Sequence, residues 1–221
     1  MSESFRLDPD AIYRCTALQQ FPWQTHGFGT RAGNPEAAVT LRQVHSNRVV
    51  NGASLRDREE EGDALITDRI AMSIGIRTAD CVPILLLDSK NRAIAAVHAG
   101  WRGTAARIVP AAIERMRADF ATDPADLFAA IGPCIRSCCY EVGEDVAEHF
   151  ETSGALQPAS PGKYHLDLSL ANRCQLQAVG VDPKRIFDSG LCTTCLTGQF
   201  FSFRREPANP GRMIASICRV A

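Results

Sequence analysis

The chain has 221 residues, 45% of them hydrophobic and 22% charged, enough to bury a sizeable core and ordinary for a globular protein. Its formal net charge of −1 leaves no basic field for a nucleic-acid backbone or an anionic membrane, so neither is an expected partner. The opening MSESFRLDPDAIYRC has no apolar stretch behind a basic start, and the longest apolar run, CVPILLL, is too short to span a bilayer; the cytoplasm is the expected compartment.

Apolar runs predict strands over residues 38–41, 49–50, 64–67, 71–77, 82–88, 93–98, 127–131, 200–203 and 213–220. Helical spacing predicts three helices. The first covers 104–120, with Thr104 as N-cap and Pro110 either kinking it or starting a second helix. The second covers 144–150. The third covers 168–179, with Asp167 as N-cap and Gly180 as the stop. Residues 51–62, 153–163 and 206–211 read as surface loops. Strands come in runs with helices between them, which points to an α+β fold with helices packed on largely antiparallel sheets. The whole of 1–221 is expected to form one domain.

Chemistry concentrates in TADCVPILLLDSKNRAIAAVHAGWRGT. Two apolar runs flank the polar turn DSKNR, the pattern of a β-hairpin. A two-residue loop at Ser89 and Lys90 sets Cys81 directly opposite His98, with Cβ atoms about 5 Å apart. A loop one residue longer sends His98 to the other face. A thiolate beside an imidazole is a zinc half-site or a nucleophile–base pair; a buried Cys next to a satisfied core His fits the pattern as well. After His98, the glycine turn Gly100–Gly103 runs into a helix start, where free backbone N–H groups and the Arg102 guanidinium suit a phosphate or carboxylate.

Nine cysteines are an odd number, and a reducing compartment keeps them as thiols. Cys192 and Cys195 have the C-x-x-C spacing of a metal or redox motif. Cys134, Cys138 and Cys139 complete a site with them only if folding brings the two segments together; packing thiols are the simpler expectation. Among the five histidines, His45 follows a short strand-like run in LRQVHSNRVV, and no spacing rule ties it to Cys81. His26 is a candidate for a pocket rim, and His149 and His165 read as solvated. Asp80, next to Cys81, points to the opposite strand face and is expected to brace backbone or Arg77.

The strings HGFGTRAG, RQVHSN, GDALITD, IRTADCVPILLLD, AAVHAGWRGT, AAIGPCIRSCCYEVG, HLDLSLANRCQL, CTTC and FFSFRRE with GRM after it resemble, in order and over nearly the whole chain, the YfiH family. It is also called the laccase-domain or peptidoglycan-editing-factor family, and its members are regarded as purine nucleoside phosphorylases. HGFGTRAG is looser than the family's usual Phe-Thr-Thr-Arg. The resemblance implies a layered α/β/β/α sandwich with a central antiparallel pair of sheets. It also implies a metal site in which His45, Cys81 and His98 hold zinc, with copper as second choice. Three protein ligands leave a fourth tetrahedral position open, as catalytic zinc sites do.

The implied reaction is phosphorolysis of adenosine, inosine or methylthioadenosine to base and ribose 1-phosphate, with adenosine deamination as a side activity. His45, Cys81 and His98 are then the catalytic candidates, and a purine nucleoside and phosphate the expected partners of a monomer or small homo-oligomer. Substrate-binding candidates are Arg31, Gln43, Gly100, Arg102 and Arg204, with Phe28 to stack on the base. Two alternatives stay open: a Cys–His hydrolase in peptidoglycan precursor editing, with Cys81 as nucleophile, His98 as base and His45 or Asp80 as orienting group, and a non-enzymatic metal or redox thiol protein. Multicopper polyphenol oxidation is disfavoured, because five histidines and no H-x-H cannot hold several coppers.

Overall fold

The computed structural model describes residues 4–55, 60–208 and 211–221. In chain order its strands are β1 (Phe5–Leu7), β2 (Tyr13–Cys15), β3 (Gln24–Phe28), β4 (Val49–Asn51), β5 (Ala64–Thr67), β6 (Ser73–Thr78), β7 (Val82–Asp88), β8 (Ile94–Ala99), β9 (Leu127–Ile131), β10 (Glu141–Gly143), β11 (Leu156–Ser160), β12 (Lys163–Leu166), β13 (Ile186–Asp188) and β14 (Met213–Arg219). Its helices are α1 (Thr16–Gln19), α2 (Trp101–Ala105), α3 (Ile108–Phe120), α4 (Glu144–Ala147) and α5 (Leu168–Ala178).

Two large sheets stack. One runs β1-β2-β3-β14-β6, the other β13-β9-β7-β8-β5-β4, and a third, small sheet runs β10-β12-β11. All pairings are antiparallel except β9–β13 and β4–β5. The α+β, largely antiparallel expectation therefore holds. Strand β7 shows why its sequence is apolar without a break. Val82, Ile84 and Leu86 join the core shared with α3 and α5, while Leu85 and Leu87 join the core between the large sheets. A strand covered on both faces has no solvent side to keep polar.

The β7–β8 hairpin differs from expectation by an even step. Pro83 stands opposite His98 and Leu87 opposite Ile94, so the loop holds four residues, 89–92, not two. Asp88 shapes it: its carboxylate accepts the amides of Lys90 and Asn91, and Arg92 takes the left-handed conformation at φ 56°. Two extra residues leave side-chain parity unchanged, so Cys81 and His98 still emerge on one face, diagonally related rather than opposed.

Other boundaries moved for visible reasons. Thr104 caps nothing; it is fully buried inside α2, its hydroxyl accepting from Asn172 of α5. Gly100 is the N-cap residue of α2, and left-handed Arg107 separates α2 from α3, so Pro110 lies in the first turn of a second helix. Asp167 does cap α5, accepting the amide of Leu170. The expected loop at 153–163 contains instead the end of a 3-10 turn and β11, then a tight turn into β12 at Gly162, φ 70°. Residues 38–41 form only an isolated bridge at Val39. Residues 200–203 are irregular because Phe200 is buried against Tyr13 while Ser202 turns to Asp80. Of the expected loops at 51–62 and 206–211, residues 56–59 and 209–210 lie outside the described ones. Among the described residues, no helix is long and apolar enough to cross a membrane.

His26, expected at a pocket rim, sits inside β3 with 5% exposure. Its Nε2 accepts the Cys15 amide and its Nδ1 meets Gln24. Burial, with the Arg14 charge nearby, holds its pKa down to about 4. An unfolded His titrates near 6.5, so the stability from burying this neutral ring is complete above that pH and is lost as pH falls towards 4, up to about 3 kcal/mol. The thermal midpoint is expected to drop between about pH 6.5 and pH 5, and His26→Gln to flatten that slope.

Candidate metal centre

One described group of donors contains histidine: His45, Cys81 and His98, whose ligand atoms all lie within 4.8 Å of one another. Each arrives differently. His98 stands near the end of β8, 3% exposed. Cys81 precedes β7 and is half-buried. His45 rides an exposed loop in the left-handed conformation, φ 60°, a region a bulky residue enters only when its surroundings hold it there. The His45 and His98 rings meet edge-to-face at 4.9 Å, and His45 Nε2 lies 3.9 Å from the Cys81 sulfur. Gly100 makes room: a Cβ there would stand 3.0 Å from both the Cys81 sulfur and the His45 ring.

Sequence reasoning missed the residue that organises this group. Asp63, fully buried just before β5, accepts the amides of Val44, His45 and Ser46 and the Ser46 hydroxyl. That grip fixes the His45 loop. The same carboxylate meets His98 Nδ1 at 2.9 Å. An ionised carboxylate only accepts, so His98 donates from Nδ1 and turns Nε2 to the site. Burial of Asp63 opposes ionisation, but the hydrogen bonds from His98 and Ser46 prevail and bring its pKa down to about 2. Burial likewise opposes charge on Cys81 and His98. Hydrogen bonds from both imidazoles bring the thiol down to about 6, and Asp63 with Cys81 brings His98 up to about 9. Both shifts favour a thiolate beside an imidazolium when no metal is bound.

His45 and Cys81 open onto a cavity of about 580 Å³. Arg102, Arg204 and Arg212 also line it, and its apolar lining includes Trp101, Ile135, Tyr140, Leu168 and Phe203. The Arg102 guanidinium lies 4.3 Å from the Trp101 ring centre, and the Trp101 ring also stacks with exposed His149. Asp80 belongs to this wall. Its carboxylate accepts the Thr193 and Ser202 hydroxyls and the Arg204 amide. It braces backbone as expected, at Arg204 rather than at Arg77.

Three substrate candidates lie elsewhere. Phe28 is 1% exposed in the core between the sheets, with no face for a purine. Arg31 is engaged by Glu206 through both carboxylate oxygens and lies over Phe201. Gln43 exchanges two hydrogen bonds with the Arg77 backbone, tying the His45 segment to β6. His165, expected in solvent, is half-buried, and its Nδ1 has no hydrogen-bond partner among the described residues.

Stacked sheets with a His–Cys–His cluster at a cavity mouth describe a layered α+β protein with a candidate metal centre. Residues 26–220 match the family described as multi-copper polyphenol oxidoreductase laccase. The fold superposes on the crystal structure of YlmD from Geobacillus stearothermophilus with a TM-score of 0.89, 29% identity and 99% of each chain covered. The chain belongs to this YfiH-type laccase-domain family. It is 41% identical to a purine nucleoside phosphorylase of Bacteroides thetaiotaomicron, over 83% of this chain and 73% of that one. It is 40% identical to adenosine deaminase RL5 from an unknown prokaryotic organism, over 82% and 74%.

Proposed function

We propose that the chain is a zinc-dependent purine nucleoside phosphorylase, releasing the base of adenosine, inosine or methylthioadenosine and leaving ribose 1-phosphate, with adenosine deamination as a side reaction. The carrying observation is that His45 and Cys81 share one cavity with three arginines. The donor set fits zinc, which takes cysteine sulfur and histidine nitrogen, and three protein ligands leave one position for a reactant. Bound by His45, Cys81 and His98, zinc would supply a Lewis acid to the purine or the phosphate.

This chain's own residues do the rest. Arg102, held over the Trp101 ring, and Arg204, anchored through its amide by Asp80 and through its guanidinium by Glu141 O, are the phosphate clamp. Phe203, exposed at the cavity, offers a ring face to a purine, and the apolar wall keeps water from competing with phosphate at the anomeric carbon. Burial, aided by the Cys81 charge, pushes the Tyr140 phenol up to about 12, so it stays protonated as a donor. Arg102→Ala is expected to raise KM for phosphate about tenfold, the loss of one charge-assisted hydrogen bond, with a smaller effect on KM for the nucleoside. Saturation curves in each substrate check this.

A second reading has its own support. Asp63 holds His98, and His98 stands within reach of the Cys81 sulfur, so an orienting carboxylate, a base and a thiolate also suit a cysteine hydrolase. The orienting group would be Asp63, not His45 or Asp80. A multi-copper oxidase reading has poor support: His26, His149 and His165 stand outside the one histidine-containing donor group among the described residues, and laccase coppers are held mainly by histidine. The test is incubation with adenosine or inosine, with and without phosphate. Free base appearing only with phosphate supports the phosphorylase; inosine formed from adenosine without phosphate makes deamination the main reaction.

A further inference from the structure

The fold builds a second donor cluster that the proposed reaction does not use. Strands β9 and β13 pair in parallel, Ile131 beside Asp188, so the segments leaving their ends run side by side. Backbone bonds keep them so: Cys134 donates to Leu191 O and Thr193 to Cys134 O, with a bridge between Cys134 and Cys192. The turns that follow bring Cys138, Cys139, Cys192 and Cys195 together, all four sulfurs within 4.8 Å of one another.

The spacing has a specific meaning. Cys138 lies 3.7 Å from Cys139, 3.8 Å from Cys192 and 3.7 Å from Cys195, and Cys139 lies 3.3 Å from Cys195. Four thiolates about 2.3 Å from a central zinc stand about 3.8 Å apart at the corners of a tetrahedron. Disulfide sulfurs would be about 2 Å apart, and all nine cysteines are free. Packing does not explain the cluster either. A thiol used as a small hydrophobe is buried, as Cys134 is, whereas Cys138 and Cys195 are exposed. Four thiols converging at a surface is an arrangement for holding a soft cation.

We propose that Cys138, Cys139, Cys192 and Cys195 bind a structural zinc ion that staples these turns together and so holds the part of the cavity lining next to them. The first turn is followed directly by Tyr140, which lines the cavity, and Ile135 precedes it. The second carries Thr193, which donates to Asp80, and its carbonyls at Thr193 and Thr194 accept from Arg205. Asp80 in turn holds the Arg204 amide. A four-thiolate site is closed, with no position for a reactant, so its role is to position.

The test counts zinc in chains that lack the other centre. His45→Ala/His98→Ala protein, passed over a chelating resin, is expected to retain one zinc per chain by elemental analysis, and adding Cys138→Ser/Cys195→Ser to remove it. Cobalt in place of zinc in the His45→Ala/His98→Ala chain is expected to give the intense sulfur-to-cobalt charge-transfer bands of a tetrathiolate. Should the quadruple variant fail to fold, an organomercurial titration of the folded double-histidine variant, read with a zinc indicator, gives the same answer: one equivalent of zinc released as four thiols react. No zinc retained after reduction and incubation with zinc sulfate, or two disulfides among these four residues in the freshly purified protein, would overturn the proposal. Because the histidine ligands are absent from this chain, the result does not depend on the phosphorylase reading.

Discussion

Cys81→Ala is expected to reduce phosphate-dependent base release about a thousandfold, the several kcal/mol a Lewis acid contributes to a developing charge. The thermal midpoint of the metal-free protein should hardly move, because Cys81 is half-buried and faces the cavity rather than the core. The variant leaves two imidazoles, too few to keep zinc in a chelating buffer. Cys81→Asp separates the two readings of the site. It restores an anionic zinc ligand but no thiol, so the metal reading expects part of the activity to return, whereas a cysteine nucleophile expects none. Initial rates for both variants, with zinc measured on the same samples, decide between them.

The second large effect belongs to a residue that touches no substrate. Asp63→Asn keeps the side-chain shape but loses the charge and replaces one acceptor oxygen by a donor. Asparagine cannot satisfy the amides of His45 and Ser46 and also accept from His98 Nδ1. The His98 tautomer is then no longer fixed. Loss of such an orienting partner typically costs ten- to a hundredfold in metal affinity or activity, so a zinc competition assay should show weakening of about that size. Asp63→Ala goes further, leaving several buried donors unpaired, and is expected to destabilise the fold by about 3–5 kcal/mol. A merely structural Asp63 would lower the thermal midpoint in Asp63→Asn without changing zinc affinity in the folded protein.

Much of this was legible in the sequence, and the gaps have physical causes. The continuous apolar runs of β7 and β8 announced a buried hairpin, and side-chain alternation placed Cys81 and His98 on one face. The loop length was hidden because Asp88 caps a four-residue turn through its carboxylate, which composition does not count. The conclusion survived because the error was even. His45 left no periodic trace, since a left-handed loop residue obeys no period; only family resemblance joined it to Cys81. Asp63 was masked by its place at the start of the strand string GDALITD, since its partners lie 17 to 35 residues away.

The cysteine cluster was half visible. C-x-x-C at Cys192 was plain, but its partners are 53 to 57 residues away, joined by the pairing of a three-residue strand, β13, that no pattern revealed. Phe28 and Arg31 show the opposite case. Residues inside a family-like string read as functional, yet one fills the core and the other is committed to Glu206.

Removing and returning the metal links activity to the His45, Cys81 and His98 site. Purified protein is stripped of zinc, zinc is returned in steps, and phosphate-dependent base release is followed alongside metal content in the wild type and in Cys138→Ser/Cys195→Ser. The account predicts that activity vanishes on stripping and returns with zinc filling the His45, Cys81 and His98 site. Full activity in protein whose His45 site holds no metal would contradict it.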